Sequence, residues 1–293
     1  MITRNNVYTF FFSLFFLFSV TINAQQVDAR NTEQLTTDTI AKEVLDNAKY
    51  RIFYSMKFVE DSKFSDIKTE TQTVLLVGLK HSAFLDYNTL RKDSVYDALS
   101  KSGASPMEII GTVMPIGREI KFKPTIIKDY PQKGSHTFQQ MISSKESYRY
   151  TDNDVKMDWK LEDEERKIKG YMTKKAICTF RGRDYIAWYC PEIAINEGPY
   201  IFSGLPGLIL EIYDTKNHYE FSMNGLKLVE KYDPLYLESK NVVKSSRSNV
   251  RKAVRNLKVN PASMLKLLSG SAKVTDETLD KIQPKPYNPI ELE

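Results

Sequence analysis

The sequence predicts a mainly β protein of the α+β class: a single antiparallel, twisted open sheet, half-barrel or sandwich-like, with a few helices packed on it. Two observations carry this expectation. Short segments rich in aromatic and β-branched residues recur from Tyr50 to Leu228, a composition that fits a pleated, half-buried surface. The gaps between them are too short for the long crossovers that parallel neighbours need, so neighbouring strands should run antiparallel.

The elements follow in order. Residues 1–24 read as a cleaved secretory signal, with Arg4 in the positive region and an almost unbroken apolar run from Phe10 to Val20. Ile22-Asn23-Ala24 then offers a small residue at the cut. The apolar run is shorter than the ~20 residues that span a bilayer. No later stretch is long enough to span, and no Cys follows the cut to carry a lipid. Residues 25–38 are polar and read as a flexible lead-in. One β-rich domain is expected over 39–283, a length that a single β domain can reach, and an extended Pro-containing tail over 284–293.

Within the domain, a short helix over Thr39–Ala48 precedes strands over Tyr50–Phe58, Thr71–Gly78 and Lys80–Tyr87. A helix over Asn88–Ser100 comes next, with Leu90, Val95, Ala98 and Leu99 on one face and Ser102-Gly103 as its stop. Strand character returns at Glu119–Ile127, His136–Ser143, Glu146–Tyr150, Lys156–Leu161, Lys167–Phe180, Tyr185–Tyr189, Leu208–Tyr213 and Tyr219–Leu228. From Lys240 to Lys258 the chain carries seven cations and no acid. Val250, Val254 and Leu257 recur on the opposite side of a basic amphipathic helix over 246–257. That apolar face lacks the Trp and Phe anchors of membrane-surface helices, so the helix should dock on the sheet with its basic face solvated. Asn260-Pro261 ends it, and a second short helix covers Ala262–Leu268.

The most distinctive stretch is Gly198-Pro199-Tyr200-Ile201-Phe202-Ser203-Gly204-Leu205-Pro206-Gly207-Leu208-Ile209. Leu205-Pro206-Gly207-Leu208 fits a type II turn, with Gly207 at φ > 0. Gly204 removes a side chain where another backbone would approach. The apolar Leu208–Ile212 then fits a strand covered on both faces. Gly204, Leu205, Pro206, Gly207, Leu208 and Ile209 spell GLPGLI, and the chain resembles the GLPGLI family of exported Bacteroidetes proteins. The resemblance extends to Met157-Asp158-Trp159, Gly170-Tyr171, Lys175-Ala176, Gly182-Arg183-Asp184-Tyr185-Ile186-Ala187-Trp188-Tyr189 and the ending Tyr287-Asn288-Pro289-Ile290-Glu291-Leu292. Ala194 departs from it, standing where the family often carries Pro. The resemblance implies export and supplies no catalytic residue. The motif itself reads as a structural corner.

Few constellations point to chemistry. The three histidines, His81, His136 and His218, are scattered and form no metal-ligand spacing. Asp152-Asn153-Asp154 lacks the Gly and the final Glu of a calcium loop. Glu162-Asp163-Glu164-Glu165 reads as a solvated hairpin turn. Ser203-Gly204 is no nucleophile elbow. No metal or cofactor is expected, whereas carboxylates from different strands can still meet in the fold. Cys178 and Cys190 flank a hairpin turning at Arg181–Asp184. If Phe180 faces Tyr185, their thiols point to opposite faces. A disulfide then needs a bulge or a bend at Pro191, and the other reading is two buried free thiols. Trp159, Tyr185, Trp188 and Tyr200 are candidates either for the lining of a ligand cleft or for the core.

Formal charge falls from +5 to +4 once Arg4 is removed with residues 1–24. This mild excess, together with export, implies no nucleic-acid partner. The expected function is a non-enzymatic binding or accessory protein of the periplasm or outer-membrane surface, associated with an outer-membrane transport system. Its expected partner is an outer-membrane receptor or another envelope protein. The alternatives are a hydrolase whose site is assembled only in the fold, and a metal-uptake protein.

Overall fold

In chain order the elements are β1 (Lys42–Asn47), β2 (Tyr50–Val59), β3 (Lys68–Val77), β4 (Ser82–Asp86), α1 (Tyr87–Lys101), α2 (Pro106–Glu119), β5 (Thr125–Lys128), β6 (His136–Met141) and β7 (Ser147–Asp152). There follow β8 (Lys160–Ile168), β9 (Tyr171–Phe180), β10 (Arg183–Cys190), β11 (Leu208–Asp214), β12 (Tyr219–Leu228), β13 (Pro234–Glu238), β14 (Val242–Lys244), α3 (Arg247–Val259) and α4 (Pro261–Ser269). This computed structural model describes residues 38–142, 146–153, 155–269, 279 and 281–293. The stretch 1–24, read from the sequence as a signal, and nearly all of 25–38 lie outside the described residues, which fall within one compact unit, Thr37–Glu293. Among the described residues no helix is long and apolar enough to cross a membrane.

Twelve strands form one open sheet in the order β14-β7-β6-β5-β4-β3-β2-β12-β11-β10-β9-β8, and β1 pairs with β13 in a separate ribbon. The sheet is mixed, because β14 runs parallel to β7 while the other neighbours are antiparallel. This corrects the expectation of a single antiparallel sheet. β14 reaches that edge from the ribbon strand β13, not through a hairpin from β7, so nothing forces it to reverse direction.

Alternation along the strands divides the core in two. Ile52, Tyr54, Met56, Leu75, Phe84, Ile126 and Phe138 belong to the larger cluster, which takes in Tyr200–Phe202 and Leu205 from the motif corner and Val250 from α3. Val74, Leu76, Ala83, Leu85 and Ile127 point the other way and pack with Leu235 and Leu237 of the ribbon and Leu90 of α1. The basic helix therefore docks with Val250, Val254 and Leu257 against the larger cluster, as its periodicity requires.

Several local expectations give way to long-range pairing. The stretch read as a helix over Thr39–Ala48 is strand β1, held in register with β13 from Lys42↔Glu238 to Asn47↔Pro234; tertiary pairing overrides weak helix propensity there. The acidic residues Glu162–Glu165 are not a turn. They lie inside β8, and the turn to β9 is at Lys169-Gly170, both at positive φ. A charged edge strand of this kind discourages pairing with other chains. Helix α2, where no helix is expected, carries a local start signature: Ser105 caps it by accepting from Glu108 N, with Pro106 at its start.

The β9–β10 hairpin is tighter than expected. Its loop is Arg181-Gly182, both at positive φ, the backbone pattern of a type I′ turn. Phe180 therefore faces Arg183, and Cys178 faces Tyr185, not Ala187. Cys190 pairs with Leu208 on the other side of β10. Both cysteines are buried free thiols, so the structure does not bring them together as a disulfide. Burial pushes the Cys178 thiol up to about 12. A thiol reagent at neutral pH is expected to leave the folded protein unlabelled and to modify both cysteines after denaturation. Rapid labelling of the folded protein would contradict this placement.

Candidate functional site

The motif corner is anchored from beneath. Lys128 of β5 is 1% exposed and donates to Glu197 Oε2 (2.8 Å), Gly198 O (2.7 Å) and Phe202 O (3.1 Å). Glu197 takes a further bond from Ser82 Oγ at 2.9 Å, and Tyr54 OH donates to Ile209 O at 2.8 Å. Burial pulls the Lys128 ammonium below its ordinary range, while Glu197 opposes that shift. Leu205, Leu208 and Ile209 are buried, whereas Gly204 and Pro206 lie exposed at the surface. Gly207 N donates to Leu205 O at 2.8 Å, which closes a three-residue turn about Pro206 in place of the expected type II turn. Gly204 also has a different reason from the one expected. A Cβ there would meet nothing nearer than Trp159 Nε1 at 4.0 Å, and its φ of +89° is what selects glycine.

The four cleft candidates sit mainly in the core. Tyr185 and Phe202 meet edge to face with ring centroids 4.7 Å apart. Trp188 is buried with the Arg166 guanidinium 4.1 Å above its ring. Trp159 is half-buried and donates to Ser203 O at 2.8 Å, closing over the corner. Tyr200 is buried at φ +54° and donates to Glu291 Oε1 at 2.6 Å. Glu291 also receives Arg181 (2.7 Å), Arg247 (2.6 Å) and Arg251 (3.2 Å). Burial would raise this carboxyl, but Arg181, Tyr200 and Arg247 hold it below the ordinary range. Arg183 pairs with Asp214 at 3.0 Å and donates to Pro289 O (2.6 Å) and Ile290 O (3.0 Å). The tail is thus fastened across the β9–β10 hairpin and the corner by a buried polar network. These contacts tie the corner and the tail to the sheet.

An open cavity lies elsewhere, on the opposite side of the sheet. About 270 Å³ is enclosed between α1, the residues after α2, strands β3–β6 and the ribbon strand β13. Leu76, Ala83, Leu85 and Leu90 give it apolar lining, and Thr125 and Gln139 are among its polar lining residues. Asp86 sets the position of α1. Its carboxylate caps the helix by accepting from Asn88 N (2.9 Å), and it also accepts from Thr71 Oγ1 (2.8 Å), Lys121 N (3.0 Å) and Phe122 N (3.1 Å). That single buried carboxylate ties the start of α1 to the segment leaving α2.

The cavity's charged and phenolic lining combines Asp93, Glu238 and Tyr236 with Lys92 and Lys123. Asp93 is the buried residue of α1, and its Oδ2 accepts from Tyr236 OH at 2.9 Å. Its Oδ1 lies 3.2 Å from Lys92 Nζ yet has no aligned hydrogen-bond donor. Burial first, and then Asp93, lift the Glu238 carboxyl above the ordinary carboxylate range. The same two causes keep the Tyr236 phenol protonated. The Glu238 carbonyl is held by Gln139 Nε2 (3.0 Å) and an Arg149 guanidinium nitrogen (2.9 Å). Such a lining can receive a ligand's donor at Asp93 while the leucines take an apolar body.

Residues 181–211 match a family described as "Protein of unknown function (Porph_ging)". The matched stretch runs from the β9–β10 turn through the corner into β11, motif included. No curated protein matches the chain. Among solved structures, two crystal forms of PNGF-II align at 13% and 14% identity with TM-scores of 0.48, covering 72% of this chain and 33% of theirs. The chain thus spans about a third of the length of those structures. An uncharacterized conserved protein from Thermus thermophilus aligns at 9% identity and TM-score 0.32, covering 67% of this chain and 90% of that one.

The family stretch and the cavity do not coincide: the former is corner and hairpin, the latter α1 and the ribbon. Sequence reasoning missed Asp93, Tyr236 and Glu238. It placed Ala98 on the inner face of α1, whereas Ala98 is exposed and Asp93 turned inward. The available signal was Asp93 three residues after Leu90, on the same helical face. Among the described residues, no group of three or more His, Cys, Asp or Glu side chains is placed to hold a metal ion. The histidines are engaged separately, His81 with Asp129 O and His136 with Ser135 O, both at 2.9 Å, and His218 with Arg183 at 3.4 Å.

Proposed function

We propose that the chain is an exported GLPGLI-type envelope protein, of the periplasm or the outer-membrane surface. On this reading it is a binding or accessory module that takes a small amphipathic ligand into the cavity beside α1, serving an outer-membrane transport system. The single observation supporting the binding role is that cavity, whose lining combines Leu76, Leu85 and Leu90 with Asp93, Tyr236 and Glu238. Export rests on Arg4, the Phe10–Val20 run and Ala24. The family reading rests on the GLPGLI motif, with the match over 181–211 in its support.

The test is a screen of small amphipathic compounds by thermal shift, repeated on Ala83→Phe. Ala83 lies on the cavity floor and is 2% exposed, so a phenyl ring there fills the space. A ligand at a hundredfold excess over its Kd stabilises the folded state by about 2.7 kcal/mol. That gain is expected in the parent protein and absent in the variant. A ligand that stabilises both equally would place the site elsewhere.

A second reading, the hydrolase assembled in the fold, is favoured by one observation: Glu238, with its raised pKa, shares the cavity with Asp93, the pairing that general acid–base work uses. It makes a different prediction. The ligand is recovered cleaved, and Glu238→Gln stops cleavage while leaving binding in place. Recovery of intact ligand from the parent protein excludes it.

A further inference from the structure

A second surface stands apart from the cavity, where the C-terminal tail runs beside α3. Lys285 N donates to Lys258 O at 2.7 Å and fixes the tail against the end of the helix. Between them lies an open groove of about 560 Å³, lined by the four cations Arg251, Lys252, Arg255 and Lys285, with no acid in the lining. Arg251 is engaged by Glu291, and Lys258 nearby by Glu60, both at 3.2 Å. Among the described residues no carboxylate lies within ion-pair distance of Lys252, Arg255 or Lys285, which leaves three exposed positive charges together.

The groove is not only charged. The apolar face of α3 is used up against the sheet, but the tail brings Pro286, Tyr287 and Leu292 to the same groove, with Leu292 50% exposed. Cations beside an amphipathic ring and a bare leucine are the side chains that settle at a headgroup boundary. The helix taken alone lacks such anchors, and the fold supplies them from the tail.

We propose that this groove docks the protein on a membrane surface rich in phosphate-bearing anionic lipid. Lys252, Arg255 and Lys285 meet the phosphates, and Tyr287 and Leu292 enter the interface. Charge complementarity selects this occupant, because three exposed cations without an ion-pair partner among the described residues, Lys285 only partly offset by the more distant Glu60, gain most against a dense anionic plane.

The test is sedimentation of the full chain with vesicles of phosphatidylcholine alone and with vesicles containing anionic phospholipid, at several salt concentrations. The apolar run at residues 10–20 is common to both vesicle types, so the readout is the gain for anionic over neutral vesicles. A clear gain that falls as salt rises is expected. The triple variant Lys252→Gln, Arg255→Gln, Lys285→Gln is expected to reduce it by about two orders of magnitude at low salt. Each single exchange, at a solvated position that leaves the core untouched, removes part of it. Equal binding to both vesicle types would overturn the proposal. So would an anionic gain that survives in the triple variant, or a stronger charge-dependent gain on an oligonucleotide than on the vesicles.

Discussion

Replacing Gly207 with valine is expected to destabilise the protein by more than about 4 kcal/mol, a loss that only a few mechanisms can produce and a large part of a domain's usual 5–15 kcal/mol. Gly207 sits at φ +146°, and a Cβ there would lie 2.1 Å from Cys190 O, 2.6 Å from Cys190 C and 2.9 Å from Pro191 Cα. All three atoms are backbone, so no side chain can rotate away. They also cannot withdraw, because Leu208 and Cys190 are paired across β10 and β11. Denaturant unfolding and soluble yield measure the effect. Gly204→Ala provides the contrast: its φ of +89° carries a backbone cost of about 1–2 kcal/mol, with no clash to add. If Gly207→Val unfolds at the parental midpoint, the corner is not the close approach described above.

Arg183→Met is expected to cost about 3–5 kcal/mol, the usual result of leaving one half of a buried ion pair behind. Arg183 and Asp214 have side chains only 3% and 2% exposed. Without the guanidinium, the Asp214 carboxylate keeps, among the described residues, only its bond from Tyr219 N at 2.7 Å. The same substitution removes the donors to Asn288 Oδ1, Pro289 O and Ile290 O. Limited proteolysis should therefore cut the tail earlier in the variant than in the parent. The double change Arg183→Met, Asp214→Leu should recover much of the stability, because the stranded charge is gone. It should not restore the tail's protection, because the donors are still missing. Recovery of both would mean that the Arg183 donors add little to the grip that Arg181, Tyr200, Arg247 and Arg251 have on Glu291.

These two sites show what a sequence can and cannot carry. β2 and β12 are legible because alternation over ten residues is a local signal, and β12 falls on Tyr219–Leu228 as expected. Helix α3 is legible for the same reason at helical period. Ribbon strands β1 and β13 are not, since each depends on a partner almost two hundred residues away. The structural reading of the corner follows from its Gly and Pro content. The geometry of its turn does not, because the close approach of the Cys190 backbone to Gly207 comes from the pairing of β10 with β11. The cavity lies furthest from view. Its polar lining joins Asp93 of a weakly amphipathic helix to Tyr236 and Glu238 of the ribbon, and no local pattern announces that meeting.

The measurement that tests the account most directly is a backbone amide NMR titration of the labelled protein with a compound selected by the thermal-shift screen. Shifts are expected to cluster at Leu90–Asp93, Gln139–Met141 and Tyr236–Glu238, around the cavity. Gly198–Ile209 should stay unmoved, as befits a corner that holds the fold. Shifts confined to Gly198–Ile209, with the amides around Asp93 and Glu238 silent, would contradict it and return the motif to the centre of function.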